Sequence, residues 1–162
     1  DVMLYNLRPQ AMSRLGLSYE DVAAANPSII YVGTFGYGEG GPYSGKPAYD
    51  DLIQGVSGAA SLAARIRPDA EPAYLPIAIA DRMVGIYAVN AILAALYHRE
   101  RTGEGQRVDV PMFETMTSIV LGDHLAGLTF DPPLDDGGYA RLLAPDRKPM
   151  KTQDGYVCAL IY

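Results

Sequence analysis

The stretch Leu75–Arg107, LPIAIADRMVGIYAVNAILAALYHRERTGEGQR, sets the reading of the whole chain. It opens on a short apolar approach, Leu75 to Ala80, and then places a single carboxylate, Asp81, before a long apolar pattern from Met83 to Tyr97. Asp favours the N-cap of a helix, where its side chain accepts the unpaired N–H groups of the first turn. Basic residues (His98, Arg99, Arg101) and then Gly103 follow, as the negative end of a helix and its left-handed terminus favour. The spacing therefore predicts a helix with Asp81 as its N-cap. Met83, Val84, Ile86, Tyr87, Val89, Ile92, Leu93 and Leu96 cover nearly every face, so burial inside a larger protein is expected. The segment reads as too short and too clearly capped to span a bilayer.

Outward from this block the pattern alternates. Val2–Tyr5 reads as a buried strand, and a short helix over Gln10–Leu15 ends at Gly16. Ser18, followed three residues on by Asp21, predicts a capped helix that stops before Pro27. Ser28–Thr34, SIIYVGT, reads as a second buried strand. Two strands separated by helices predict an α/β layer with a parallel sheet. Phe35–Pro42 is glycine-rich, but no helix follows where a phosphate-binding fingerprint needs one, so it reads as a flexible turn shaping a pocket wall. A helix is expected from Pro47 through Ala60, then a polar loop over Arg65–Pro72. Past the central block, Val108–Val110 reads as a brief strand and Pro111–Leu128 as an apolar helix with Pro at its first position. Phe130–Lys148 reads as an extended linker, and Gln153–Gly155 as a turn entering a strand from Tyr156 to Ile161.

Composition narrows the function classes. The 162 residues carry 13 basic and 19 acidic side chains, a net charge of -6, which argues against a nucleic-acid partner. A hydrophobic share of 49% argues against disorder. The one cysteine, Cys158, excludes an internal disulfide framework and reads as a packing residue in an apolar strand. No metal-ligand spacing is present, and no membrane partner is expected. With no signal peptide in view, a cytoplasmic protein is the default expectation. Both ends read as cuts in a longer polypeptide.

Few side chains are placed for chemistry. His98 sits in a helix end, where a cation is favoured anyway. His124 follows Asp123 without a visible third partner, and no nucleophile elbow exists. Asp81 remains. A lone Asp at a helix start is ordinarily structural. Here small neighbours (Ala80, Gly85), an apolar approach and a core helix would set it at the floor of a dry pocket, where a carboxylate can become acylated.

Several blocks in order resemble the class III CoA-transferase family, a superfamily that includes formyl-CoA and carnitine CoA-transferases and α-methylacyl-CoA racemases. They are Asn6-Leu7-Arg8-Pro9 through Arg14-Leu15-Gly16-Leu17; Asn26–Val32 with Gly36-Tyr37-Gly38 and Gly41-Pro42-Tyr43; and Ala80-Asp81 with Arg99–Val110. The resemblance implies an α/β fold: the Rossmann-like large-domain portion of such an enzyme plus the start of the small domain. Its division would be 1–128 for the large domain, 129–150 for a linker and 151–162 for the small domain. It implies an interlocked homodimer, acyl-CoA and a carboxylic acid as partners, coenzyme A as substrate, and no covalently bound cofactor. It places the nucleophile at Asp81 and CoA contacts at Asn6, Arg14, Tyr49 and Met112. Arg14 reads equally as a solvated helix cation, and Tyr49 and Met112 equally as packing residues. The racemases resembled here use a His in the Pro47–Asp50 segment. Tyr49 stands there instead, a poor base near neutral pH, which favours transferase over racemase. A glycine-rich lid is not evident beyond Gly137-Gly138. A catalytically incomplete fragment is the third reading.

Overall fold

The computed structural model describes residues 1–67 and 69–159. A three-stranded parallel sheet forms its centre, in the order β1 (Val2–Tyr5), β2 (Ile30–Gly33), β3 (Gln106–Asp109). The register sets Val2 beside Ile30 and Ile30 beside Gln106. β2 lies in the middle with all four residues buried, as a parallel strand covered on both faces requires. The strand thus occupies the heart of the expected SIIYVGT run. β3 starts two residues earlier than expected and ends before Val110.

Helices α1 (Pro9–Arg14) and α2 (Tyr19–Ala25) connect β1 to β2. The capping box at the start of α2 forms as predicted: the Asp21 amide donates to Ser18 Oγ, and the Ser18 amide donates to Asp21 Oδ2, both at 3.2 Å. Tyr5, Met12, Ile29, Tyr31 and Phe35 build a cluster on this side. Burial pushes the Tyr5 and Tyr31 phenols above the ordinary tyrosine value, with the hydrogen bond to Tyr5 and the Arg107 charge partly offsetting this for Tyr31. The unfolded chain therefore loses these protons at a lower pH than the folded one, so stability falls as pH climbs beyond about 10. Melting temperatures measured between pH 8 and 11 are expected to drop along this limb, and Tyr5→Phe is expected to flatten it; an unchanged slope would remove Tyr5 as a cause.

α3 (Asp50–Val56) follows the glycine-rich loop. The single helix expected through Ala60 breaks at Gly58, whose φ of 86° is left-handed. A 3₁₀ turn and α4 (Leu62–Ile66) follow, so the expected polar loop from Arg65 begins instead at Arg67. α5 (Ile79–Thr102) runs 24 residues, about 36 Å. It ends as predicted, on Gly103 in the left-handed conformation with its amide on the Arg99 carbonyl. α6 (Met112–His124) takes Pro111 as its N-cap rather than as its first helical residue. It ends four residues before Leu128, and a 3₁₀ turn over Ala126–Thr129 replaces its last turn.

The core joins α3, α5 and α6 through Ile53, Ala80, Val84, Ala88, Val110, Met112 and Met116. α5 departs from its expected burial on all sides. Ala80, Val84, Ala88 and Ala95 are covered, whereas Ile86, Val89, Leu93 and Tyr97 are each more than half exposed. Ala80, Val84, Ala88 and Ala95, with Met83, Ile92 and Leu96 packed beside them, face the core and the sheet, and Ile86, Val89, Leu93 and Tyr97 face out. The helix is also long and apolar enough to cross a membrane by length and composition, so the expectation that it was too short fails. Its covered face, packed on the sheet and on α6, is what a core helix has.

After α6 the chain turns irregularly, and Arg65 Nη2 reaches across to the Gly137 carbonyl at 2.6 Å. A two-stranded antiparallel hairpin, β4 (Met150–Lys151) and β5 (Tyr156–Val157), closes the described part. Cys158 lies beyond β5 and is exposed, against the expected packing role. The part of the expected last strand at Leu160–Ile161 lies outside the described residues.

Candidate active site

The signature block after α5 acts structurally. Arg99 Nη1 donates to the carbonyls of Asp1 and Ser28, both at 3.1 Å, which ties the end of α5 to the starts of β1 and β2. Arg107 is paired with Asp109 Oδ2 at 2.9 Å and with Glu39. These two carboxylates hold its guanidinium protonated well beyond ordinary arginine. The start of the glycine-rich loop is tied to α6: the Gly38 amide donates to Glu114 Oε1 at 2.9 Å, and the amides of Met112 and Phe113 donate to the carbonyls of Phe35 and Gly36. The Gly38 donor is therefore already used and is not offered to a phosphate.

Asp81 is the third residue of α5, not its N-cap. The helix is entered through Ala78 at φ −73°, ψ 69°, with the Ile79 amide on the Ile77 carbonyl at 2.8 Å. That is the geometry of an inverse γ-turn. Ala78 has no side-chain acceptor, so the cap comes from another helix. Asp50 Oδ1 accepts the Asp81 amide at 3.0 Å. Asp50 Oδ2 accepts from Gln54 Nε2 at 2.7 Å. Gln54, wholly buried, also donates to the Ile77 carbonyl at 3.3 Å and accepts the Leu75 amide at 2.8 Å. Both amide atoms of Gln54 are thus paired, as a buried amide requires. Asp50 and Gln54 carried no signal in the sequence, because the backbone groups they bind at Leu75, Ile77 and Asp81 lie 21 to 31 residues away.

The side chain of Asp81 is exposed and has no hydrogen-bond or ion-pair partner among the described residues. Ala80 beside it is fully buried in the core. Tyr49, 74% exposed, precedes Asp50 and is the N-cap of α3. Met112, 8% exposed, packs in the same core cluster as Ala80. The Asp50 bond sets Tyr49, its chain neighbour, near the start of α5, and Met112 opens α6 within the core cluster that includes Ala80. Asn6 and Arg14 are exposed on the β1–α1 side, and Arg14 Nε donates to the Gln10 carbonyl in its own helix at 3.2 Å. His98 lies 4.0 Å from Glu104 in a helix end, and buried His124 accepts the Tyr139 amide through Nδ1 at 3.2 Å. Two cavities lie away from Asp81. One, of about 200 Å³, is lined by Tyr5, Tyr31, Glu39 and Arg107; the other, of about 670 Å³, is lined by Arg147, Lys148 and Cys158 among others.

With this geometry in place, comparison with known sequences is decisive. CoA-transferase family III matches residues 1–162. The chain belongs to that family. A succinate–glutarate CoA-transferase of Agrobacterium fabrum is 34% identical over 158 residues, covering 97% of this chain and 39% of the relative. An acetyl-CoA:oxalate CoA-transferase of Acetobacter aceti is 41% identical over 115 residues, covering 70% of this chain and 29% of the relative. A crystal structure of a CAIB/BAIF family protein from Brucella suis superposes with a TM-score of 0.79 at 34% identity, covering 96% of this chain and 41% of that one. The family III chain described here therefore spans about two-fifths or less of the length of these relatives, and its mixed α/β layer is a fragment of their fold.

Proposed function

We propose that the protein carrying this family III chain moves coenzyme A from an acyl-CoA donor to a free carboxylic acid, with Asp81 as nucleophile. The observation that carries the proposal is the placement of Asp81. Asp81, where the resemblance puts the nucleophile, has an exposed, unpartnered carboxylate in the first turn of a long helix.

In the proposed cycle one Asp81 oxygen attacks the thioester carbonyl, the carbon–sulfur bond breaks, and the CoA thiolate leaves an aspartyl–acyl anhydride. The thiolate then attacks the aspartyl carbonyl, releasing the donor acid as its carboxylate and forming an aspartyl-CoA thioester. The acceptor carboxylate repeats the two exchanges in reverse and regains Asp81. No proton is gained or lost, so the protein's part is placement and exclusion of water. The dry enclosure this needs is assigned to the rest of the polypeptide, including a second copy in an interlocked homodimer. Asn6, Arg14, Tyr49 and Met112 are proposed to face CoA, Arg14 through its phosphates. The division into a large domain to residue 128, a linker to 150 and a small domain beyond belongs to the same proposal, as does a cytoplasmic setting.

Incubating the full-length protein with acyl-CoA and then hydroxylamine is expected to leave a hydroxamate on the Asp81 peptide, read by mass spectrometry. An unmodified Asp81 in a turning-over enzyme would overturn the assignment.

A further inference from the structure

Asp50 occupies a position that no motif marked. It is the first residue of α3, yet it serves the start of α5. Its two oxygens are divided: Oδ1 takes the Asp81 amide at 3.0 Å and Oδ2 takes Gln54 Nε2 at 2.7 Å. Gln54 in turn grips the incoming strand of chain at Leu75 and Ile77. A helix start ordinarily draws on a local Ser, Thr, Asp or Asn for its amides. Here the entry is Ile77-Ala78-Ile79-Ala80, which offers none. The one side-chain acceptor in the first turn of α5 is the carboxylate of Asp81 itself.

We infer that Asp50, anchored by Gln54, is a positioning residue that caps α5 from α3 and so leaves the Asp81 carboxylate free for the acyl group. The inference rests on the nucleophile reading above. Asp50 touches the Asp81 backbone and none of the reacting atoms. When it is removed, the vacated Asp81 amide draws the Asp81 carboxylate back onto its own helix end, as a capping side chain. The nucleophile is then misplaced by roughly an ångström, a shift that costs on the order of 100-fold in rate.

The test compares Asp50→Ala, Asp50→Asn and Asp81→Asn in the full-length protein. Asp50→Ala is expected to lower kcat about 10- to 100-fold while KM for acyl-CoA moves less than about threefold. Asp50→Asn retains one acceptor for the Asp81 amide and is expected to recover most of that loss. Hydrogen exchange at the Asp81 amide is expected to quicken about tenfold in Asp50→Ala and much less in Asp50→Asn. A merely structural role would lower the melting temperature of both variants without this split. Unchanged kcat in Asp50→Ala, or unchanged exchange at residue 81, overturns the inference. Full activity in Asp81→Asn strikes the nucleophile reading instead, and the exchange data then still report whether Asp50 caps the helix.

Discussion

Replacing Asp81 by Asn in the full-length protein is expected to reduce CoA transfer by more than about three orders of magnitude, while the melting temperature barely moves. An amide oxygen cannot form the anhydride that a carboxylate forms, so the covalent route closes entirely. Loss of a covalent nucleophile is among the largest single-residue effects on turnover, up to about 10⁶-fold. The fold has little reason to object. The side chain is exposed and unpartnered, and the contact to Asp50 uses the backbone amide, which Asn retains. What is lost is one negative charge in the first turn of α5, worth about 0.3–1 kcal/mol against the helix dipole. Steady-state transfer with thermal melting on the same sample checks both halves. Retained turnover would end the nucleophile assignment, and a collapse in melting temperature would recast Asp81 as structural.

The second large effect falls on Gly105. Its amide donates to the Pro27 carbonyl at 3.2 Å, at the point where β3 begins to pair with β2. A Cβ there would lie 2.3 Å from the Ile29 carbonyl oxygen and 2.5 Å from the Ser28 carbonyl carbon. Both are main-chain atoms of the segment leading into the most buried strand, so no flexible side chain can move aside. Gly105→Ala must push β3 away from β2 or break the Gln106 amide bond to Ile29, 3.0 Å long. Overpacking of this kind costs about 3 kcal/mol or more. For a unit of this size that is a melting shift of roughly 6–12 °C. Thermal melting of the variant checks it; a shift under about 2 °C would show that the strands separate more easily than the contacts imply.

Local chemistry made much of the fold legible. β2 announces itself by a contiguous run of β-branched and aromatic residues, Ile29-Ile30-Tyr31-Val32, because a central parallel strand buries both faces. Ser18 and Asp21 announce α2, and Gly103 announces the end of α5, because caps are satisfied within a few residues. The start of α5 was misplaced for the same reason inverted. Its cap is supplied by Asp50, 31 residues upstream, so the nearest acidic side chain, Asp81, looked like the cap although it lies inside the helix. α4 escaped because five residues, LAARI, leave little periodicity to detect and run straight into the polar stretch that begins at Arg67. The exposed outer face of α5 escaped because an all-apolar helix carries no sign of which side meets its neighbours.

The sheet order has a practical corollary. β1 and β3 are its two margins, and each carries a row of main-chain donors and acceptors that no neighbouring strand engages in the described residues. Such rows template further pairing. Expressed alone, the 162-residue chain would meet other copies of itself along both margins and grow into larger aggregates.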